Sequence, residues 1–301
     1  MANLTLKQLR YFDALARQGH FGRAAEASSI SQPALSMQIK ELEETLGAPL
    51  FDRGARAVSL TGFGEEFAPR AREILRAVEE LEDLGRVLRD HMAGRLRMGV
   101  IPTVAPYLLP RLIGDLRREY PGLDLQLRET ITPRLLQDLA EGRLDCAIVA
   151  LPVSEPSLIE VDLFTEDFVL VRPLADAAKA VPGPVGLRAL RLLLLEEGHC
   201  FRDQALAFCR MQASPAVRDT GPREMMEGSS LSTLVQMVGA GIGVTLIPEM
   251  AVAVETLSAP VAVARFPDPP PSRRIGMVWR RSTPLSRQLM QVARVVQAVA
   301  R

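Results

Sequence analysis

The sequence has few of the residues that mark secreted, membrane-embedded or metal-binding proteins. Only three cysteines occur in 301 residues, and an odd number argues against a structural disulfide framework. The three histidines form no His/Cys/Asp cluster with metal-ligand spacing, so neither a metal nor a cofactor is expected. Long apolar runs are absent, and the first residues do not resemble a secretory signal. We therefore expect a cytoplasmic protein that makes no contact with a membrane.

The sequence also lacks net charge, since 36 lysine and arginine residues balance 36 aspartate and glutamate residues. The whole chain is therefore not expected to attract nucleic acid, and any DNA contact must come from a local basic surface. Hydrophobic residues make up 48% of the chain and charged residues 24%, which is ordinary for a protein with a sizeable core. The length predicts two or three globular units.

The first 60 residues have the pattern of a winged helix-turn-helix. Thr5 and Gln8 have capping-box spacing and begin a first helix, and a short second helix is predicted over 23–27. Ser31 is a typical N-cap for a third helix, with Pro33 in its first turn. The apolar stripe of this third helix contains Leu35, Ile39, Leu42 and Leu46 and ends at Gly47. Residues 49–53 and 58–60 then predict the two strands of a wing.

The polar face of the third helix is suited to DNA. Side chains that can bond base edges and phosphates in a major groove occur at Gln32, Ser36, Gln38 and Lys40. Arg53 and Arg56 lie near the tip of the predicted wing and are expected to contact the phosphate backbone. A small helical bundle with a solvated polar face would show a similar pattern, so periodicity alone leaves both interpretations open.

Residues 61–93 predict one long helix that links the first domain to the rest of the chain. Its apolar positions alternate in steps of four and three residues, a heptad seam: Phe67, Ala71, Ile74, Val78, Leu81, Gly85 and Leu88. Charged residues flank the seam throughout, which favours a dimer over a single amphipathic helix on a globular core. A dimer also suits a helix-turn-helix, because two recognition helices read half-sites spaced by helical turns.

Residues 94–301 predict an α/β regulatory domain of two lobes. Strand-like and helix-like segments alternate, with strands over 96–101, 123–127 and 144–151 and helices from 107 and from the Thr132-Pro133 cap. Lobe I is expected over about 94–163 and 267–301, and lobe II over about 164–266. The cleft between two such lobes is a natural ligand site. Gly239, Gly241 and Gly243 come between a helix and a strand, the wrong order for a dinucleotide fingerprint.

Resemblance to the LysR-type transcriptional regulators is carried by the segment AAEASSISQPALSMQIKELEETLGAPLFDR and extends over essentially the whole chain. It implies a regulatory domain built like a periplasmic binding protein, and promoter DNA as the partner. It also implies a homodimer that pairs into a dimer of dimers and contacts RNA polymerase. Within the first domain it implies that DNA is faced by five residues, with Arg53 in support: Ser31, Gln32, Pro33, Ser36 and Gln38.

The segment GHCFRDQALAFC, residues 198–209, contains the residues most suited to chemistry. Cys200 comes two residues after Gly198 and begins a helical stretch, where the helix N-terminus and the nearby His199 and Arg202 are expected to favour a thiolate. A thiolate can attack a peroxide to give a sulfenic acid, which Cys209 is a candidate to resolve. On one helix, nine residues separate the two cysteines by about 13 Å, whereas a disulfide needs Cα atoms within about 7 Å. The alternative interpretation is that Cys200 and Cys209 are ordinary core residues of a helix.

The same segment resembles the OxyR hydrogen-peroxide sensors, a branch of the LysR family. This resemblance implies Cys200 as the peroxidatic cysteine and Cys209 as the resolving cysteine, with hydrogen peroxide as the signal. The peroxide pocket is expected to contain six residues: Thr103, Thr132, His199, Arg202, Asp203 and Arg274. The resemblance maps the pocket onto the first three and assigns Asp203 to tuning the thiol. Arg274 corresponds to a basic residue near the thiol, although Arg273 beside it could serve instead. Cys146, among apolar strand residues, is expected to be a buried inert thiol.

Two other functions remain open from the sequence. A LysR-type regulator that binds a small organic effector in its cleft would bind that ligand without its cysteines. A thiol peroxidase would use the same cysteine pair to consume peroxide catalytically, but the helix-turn-helix argues against an enzyme.

Overall fold

The computed structural model describes residues 4–53, 58–87, 94–209 and 226–300. The chain divides into two compact units, Met1–Leu88 and Arg89–Arg301. The predicted class is confirmed: an all-α winged helix-turn-helix with a linker helix, and an α/β regulatory unit. In the described part of the chain, no helix is both long enough and apolar enough to span a membrane.

The first unit has three short helices, α1 (Leu6–Gln18), α2 (Phe21–Ala27) and α3 (Gln32–Leu46). Thr5 and Gln8 form the predicted capping box, and Ser31 Oγ accepts a hydrogen bond from the amide of Ala34 at 3.4 Å. Helix α2 begins two residues earlier than predicted. Its first turn is capped by His20, whose Nδ1 accepts a hydrogen bond from the amide of Gly22 at 3.0 Å.

The wing and the linker helix complete this unit. The wing strands are β1 (Phe51–Arg53) and β2 (Val58–Leu60), paired antiparallel, and the linker helix is α4 (Gly62–Val87). Part of the predicted heptad seam packs inside the unit: the Phe67 ring lies 5.0 Å from the Phe12 ring, edge to face, and Ala71 is buried in the same core. Farther along α4, Ile74 and Leu81 are exposed.

The regulatory unit contains strands that run through both predicted lobes. The elements on the lobe I side are β3 (Gly94–Val100), α5 (Ala105–Glu119), β4 (Leu123–Glu129), α6 (Thr132–Ala140) and β5 (Cys146–Leu151), and a long strand, β6 (Leu158–Pro173), follows them. On the lobe II side they are α7 (Pro184–Leu187), β7 (Leu192–Leu195), α8 (Cys200–Phe208), β8 (Met226–Gly228), α9 (Leu231–Gly239), β9 (Val244–Pro248), α10 (Val252–Glu255) and β10 (Val261–Arg265). The chain returns through β11 (Ser272–Arg280) and ends in α11 (Ser286–Val299).

Strands β6 and β11 join the two lobes. The sheet order is β4-β3-β5-β11-β6-β9-β7-β8, with β10 also paired to β6. The first part of β6 pairs antiparallel with β11, and its last part pairs with β9 and β10. The predicted lobe boundary near residue 164 therefore falls in the middle of a continuous strand. The glycines at 239, 241 and 243 lie between α9 and β9, as the sequence order indicated.

Candidate redox site and DNA-binding face

The first turn of α8 presents the candidate redox cysteine. Cys200 is the first residue of this helix and is partly exposed, and His199 occupies the N-cap position without a side-chain capping bond. Gly198, which precedes them, has φ +92°, a conformation that favours glycine. A Cβ at Gly198 would also lie 2.7 Å from Cδ1 of Ile131. Glycine therefore allows the start of α8 to approach the start of α6 closely.

Cys200 lies in the wall of a small recess. The recess is narrow and opens to solvent, and it is lined by Ile101, Pro102, Thr103, Ile131, Thr132, His199, Cys200 and Phe201. Thr103 is buried, and Thr132 Oγ1 is a buried oxygen with no hydrogen-bond partner among the described residues. The structure thus brings together four residues predicted for this site: Cys200, His199, Thr103 and Thr132.

Thr132 has a different local role from the one predicted. The sequence suggested that it caps α6, but Ile131 occupies the N-cap and Thr132 is the first helical residue. No side-chain capping bond is made there. The Thr132 hydroxyl is therefore not used by the helix end and lines the recess instead.

The arginine beside the recess is Arg273 rather than Arg274. Arg273 Nη1 donates a hydrogen bond to Thr103 Oγ1 at 2.7 Å, and Nη2 donates to the Thr103 carbonyl at 3.0 Å. Its Nε donates to Glu166 Oε1 at 2.8 Å. Arg274 points to the surface, where it pairs with Asp162 at 3.1 Å. The alternation along β11 contained this signal, because Arg273 shares a strand face with the buried Ile275 whereas Arg274 takes the opposite face.

The guanidinium of Arg273 also contacts α8. Its Cζ lies 5.1 Å from the centre of the Phe201 ring, within the range of a cation–π interaction. The Phe201 ring packs edge to face on Phe168 at 4.8 Å and is buried. Sequence reasoning did not single out Phe201, since an apolar residue in a helix carries no sign of its neighbours. Phe201, the residue after Cys200, therefore contacts Phe168 of β6 and Arg273 of β11.

The two other residues predicted for the pocket lie outside it. Arg202 is buried and turned toward lobe II, where Nη1 donates to the Leu195 carbonyl at 2.9 Å and to Glu227 Oε1 at 2.5 Å. It therefore connects α8 to the end of β7 and to β8. Asp203 is exposed and does not line the recess.

His199 has an environment that favours its neutral form. Burial lowers the pKa of its imidazole below the ordinary value of 6.5, and this effect outweighs the opposing effect of the Glu196 carboxylate. A neutral imidazole has one nitrogen that donates and one that accepts a hydrogen bond. His199 can therefore offer either function to a molecule in the recess.

Cys209 and Cys146 are both buried thiols. Cys209 is the C-cap residue of α8 and belongs to the lobe II core. Burial raises the pKa of its thiol to about 11, although the charge of Arg188 acts in the opposite direction. Cys146 lies within β5 and is fully buried, and burial raises the pKa of its thiol well above the ordinary value. All three cysteines are free thiols, with Cys200 and Cys209 at opposite ends of one helix.

A hydrogen-bonded cluster that sequence reasoning missed joins α5 to α9 and α10. Glu255 is buried; its Oε1 accepts from the Tyr107 hydroxyl and its Oε2 from the Ser232 hydroxyl, each at 2.6 Å. Burial and the bond to Glu255 raise the pKa of the Tyr107 phenol. Because Tyr107 lies on α5 and the other two on α10 and α9, only the fold could bring these residues together.

The candidate DNA-binding face lies on α3. Ser31, Gln32, Pro33 and Lys40 are exposed, and Ser36 and Gln38 are half-buried. Two of these side chains also make bonds within the helix: Gln38 Nε2 donates to Glu41 at 2.7 Å, and Lys40 pairs with Glu44 at 3.5 Å. Arg53 ends β1, but its side chain is not described. Arg56 lies outside the described residues.

The part of the chain that the structure describes has no group of three or more His, Cys, Asp or Glu residues arranged to hold a metal ion.

The family comparisons match both units. Residues 6–65 match the family described as "Bacterial regulatory helix-turn-helix protein, lysR family", and residues 89–301 match "LysR substrate binding domain".

Relatives and solved structures agree with these matches. The chain is 44% identical over 300 residues to a "Probable hydrogen peroxide-inducible genes activator" of Streptomyces viridosporus, covering 99% of this chain and 95% of that protein. It is 40% identical over 299 residues to the "DNA-binding transcriptional dual regulator OxyR" of Escherichia coli, covering 98% and 95%. A full-length OxyR cysteine-to-aspartate variant from Pseudomonas aeruginosa superposes with a TM-score of 0.77 at 37% identity, covering 98% of this chain and 95% of that one. A hydrogen-peroxide-bound OxyR cysteine-to-serine variant from Corynebacterium glutamicum superposes with a TM-score of 0.66, also at 37% identity, covering 98% and 92%. With this fold, this recess and these matches, the chain belongs to the LysR family of transcriptional regulators and, within it, to the OxyR branch.

Proposed function

We propose that this regulator senses hydrogen peroxide through oxidation of Cys200 and disulfide formation with Cys209, and that the change alters its binding to promoter DNA. The observation that carries the proposal is the recess itself. It places a partly exposed thiol at a helix N-terminus beside two threonine hydroxyls and a histidine. The names of the relatives, which refer to hydrogen-peroxide-inducible gene activation, support the same signal.

The recess offers polar groups suited to a small peroxide. Helix N-termini favour negative charge, and Cys200 is the first residue of α8. Thr103 Oγ1 accepts a hydrogen bond from Arg273, which leaves its own proton to be donated elsewhere. Thr132 Oγ1 is buried and not engaged by the described residues. These hydroxyls are suited to hold the two peroxide oxygens while the sulfur approaches one of them.

The chemistry proceeds in two balanced steps. The Cys200 thiolate attacks one peroxide oxygen, the O–O bond breaks, and the other oxygen leaves as hydroxide, which takes up a proton to become water. Cys200 is then a sulfenic acid. The Cys209 thiol gives up its proton and its sulfur attacks the Cys200 sulfur; the S–O bond breaks as the disulfide forms, and the leaving hydroxide takes up a proton to become a second water. Overall, two thiols are oxidised by two electrons, and one peroxide is reduced to two waters.

The second step requires α8 to open. Nine residues of helix separate the two cysteines by about 13 Å along the axis, and a disulfide needs Cα atoms within about 7 Å. Cys209 is buried, and its raised pKa keeps it protonated at neutral pH. Unwinding α8 frees the backbone so that the two sulfur atoms can meet, and it exposes the Cys209 thiol to water. A local chemical event is thereby converted into refolding of the segment that contacts β6 and β11.

The output of this change is proposed to be transcriptional. In this proposal, α3 lies in a major groove with four residues toward the bases: Ser31, Gln32, Pro33 and Ser36. The basic residues of the wing contact phosphates. The exposed apolar residues Ile74 and Leu81 of α4 are suited to pair two copies of the chain. A dimer of dimers and contact with RNA polymerase complete the proposal.

Mass spectrometry of peroxide-treated protein tests the sensing step. The reduced full-length chain is exposed to a slight excess of hydrogen peroxide, and its thiols are mapped under denaturing conditions. The expected product is a Cys200–Cys209 disulfide with Cys146 still free. Cys200→Ser should bind promoter DNA but not respond to peroxide, whereas Cys146→Ser should respond normally. A normal peroxide response in Cys200→Ser would overturn the thiol mechanism.

DNA titrations test the placement of α3. Gln32→Ala should weaken binding to a specific duplex, because Gln32 lies at the exposed start of the helix. Thr45→Ala is the matched control, since Thr45 is exposed near the other end of α3 and its hydroxyl bonds the Glu41 carbonyl. Equal affinities of the Gln32→Ala and Thr45→Ala variants would contradict this placement.

A further inference from the structure

One residue of α3 has a side chain that does not match its polar surroundings. Met37 is 55% exposed and is the one large hydrophobic residue exposed along α3, every residue of which the structure describes. The buried face of the helix is formed by Leu35, Ile39 and Leu42. At about 100° per residue, Met37 lies on the opposite face, about 200° from Leu35. It therefore shares its face with the exposed Pro33 and Lys40.

The groove offers few partners for such a side chain. In the floor of the major groove, hydrogen-bond donors and acceptors occupy every base-pair edge, and the C5-methyl of thymine is the apolar group. A thioether side chain has no strong hydrogen-bonding group. The neighbouring polar side chains Gln38 and Lys40 are held toward Glu41 and Glu44, on the C-terminal side of Met37. Met37 is thus left to project between them and the first turn of the helix.

We infer that Met37 contributes to the choice of operator by packing on a thymine methyl group in the major groove. The inference rests on the proposed placement of α3 in that groove and adds a base preference that the polar residues do not supply. Amide and hydroxyl side chains read hydrogen-bonding edges, whereas Met37 would read a methyl group. This contact distinguishes thymine from uracil, which differs only by that methyl.

Thymine-to-deoxyuridine substitution tests the contact one methyl group at a time. The reduced full-length chain first selects tight-binding duplexes from a random-sequence pool. In one selected duplex, each thymine is replaced in turn by deoxyuridine, and affinity is measured by fluorescence anisotropy at fixed salt. The wild-type chain should lose affinity about fourfold at one thymine position of the half-site, the factor expected for one buried methyl group.

Variants of Met37 then assign that loss. Met37→Ala should bind the thymine and deoxyuridine duplexes equally well, while Met37→Leu, which remains large and apolar, should still prefer thymine. Met290→Ala removes a methionine of the regulatory unit that is 37% exposed, and it should behave as wild type. The salt dependence of binding should be unchanged in Met37→Ala, because an apolar contact releases no counterions.

Several results would overturn the inference, and they separate it from the proposed function. If no deoxyuridine affects the wild-type chain, or if Met37→Ala loses the same factor at the same thymine, Met37 does not read a methyl group. If Met37→Ala weakens self-association but keeps the deoxyuridine response, Met37 packs on a second copy instead. If Gln32→Ala binds the duplex with full affinity, the placement of α3 in the groove is wrong. If Gln32→Ala weakens binding but Met37→Ala keeps the wild-type response to deoxyuridine, only the role of Met37 is wrong.

Discussion

Replacing Phe201 with leucine is expected to change the reduction potential of the proposed Cys200–Cys209 couple. The Phe201 ring is 3% exposed, lies 4.8 Å from the Phe168 ring, and carries the Arg273 guanidinium at 5.1 Å. The burial and both contacts depend on α8 being folded against the core. If oxidation unwinds α8, they stabilise the reduced protein and are absent from the oxidised protein.

The size of the effect follows from these contacts. An edge-to-face aromatic pair contributes about 0.5–1.5 kcal/mol beyond its burial, and a buried cation–π contact contributes a similar amount. Leucine keeps much of the apolar burial but loses both contacts, so the reduced form should lose about 1.5 kcal/mol. For a two-electron couple, about 1.4 kcal/mol corresponds to about 30 mV. Because the reduced form is the one destabilised, the potential should become more negative by about 30 mV.

The assay equilibrates each protein with dithiol–disulfide buffers of known potential and quantifies the disulfide by mass spectrometry. Urea unfolding of both redox forms gives the free energies independently. Val292→Ala is the control. Val292 is fully buried on α11 in lobe I, so its replacement should destabilise both redox forms equally. A Phe201→Leu variant that loses the same stability in both forms, with an unchanged potential, would show that α8 does not leave its packing on oxidation.

A hydrogen bond, a glycine and a histidine of the regulatory unit each give a further expectation. Tyr107→Phe leaves a buried carboxylate oxygen without its tyrosine donor and should lower the free energy of unfolding by about 1–3 kcal/mol. Tyr120→Phe, which loses a bond to an exposed glutamate, should hardly change the urea midpoint, and equal losses in the two variants would contradict this reasoning. Gly198→Ala should lower Tm more than Gly241→Ala. Both glycines have positive φ, but only at position 198 would the added Cβ meet a neighbouring side chain. Equal Tm shifts would refute this steric argument. Burial lowers the pKa of His199 below 6.5, so the unfolded chain takes up the proton first as pH falls, and stability should decline between that value and the lowered pKa. His199→Gln should reduce this decline in urea midpoint, and an unchanged pH profile would argue against a buried imidazole.

The parts of the fold that the sequence predicted well depend on local chemistry. The capping box of Thr5 and Gln8 and the Ser31 cap are interactions between residues three apart, so their spacing alone identifies them. The polar and apolar faces of α3 follow from helical periodicity in the same way. The segment that begins at Cys200 was identified for a similar reason, since a glycine before a helical stretch can be read without knowledge of the fold.

The parts that could not be predicted depend on contacts between distant residues or on a choice between adjacent ones. Tyr107 and Glu255 are 148 positions apart, and no periodicity links them. Arg273 and Arg274 are neighbours of the same type, and the choice depends on which face of β11 is turned inward. The first part of the predicted heptad seam packs on the protein's own core. The sequence could not indicate this, because an apolar stripe looks the same whether its partner lies in the same chain or in a second copy.

The arrangement around Arg273 links the proposed peroxide site to the proposed conformational change. Thr103 and Thr132 come from lobe I, Cys200 and Phe201 from lobe II, and Arg273 from a strand that joins the lobes. Arg273 bonds Thr103 on one side and stacks on Phe201 on the other. If α8 unwinds, the recess loses the wall that contains Cys200 and Arg273 loses its aromatic contact in the same step. The proposed peroxide site is then dismantled by the event that it triggers, so the disulfide must be reduced and α8 must refold before the site can react with peroxide again.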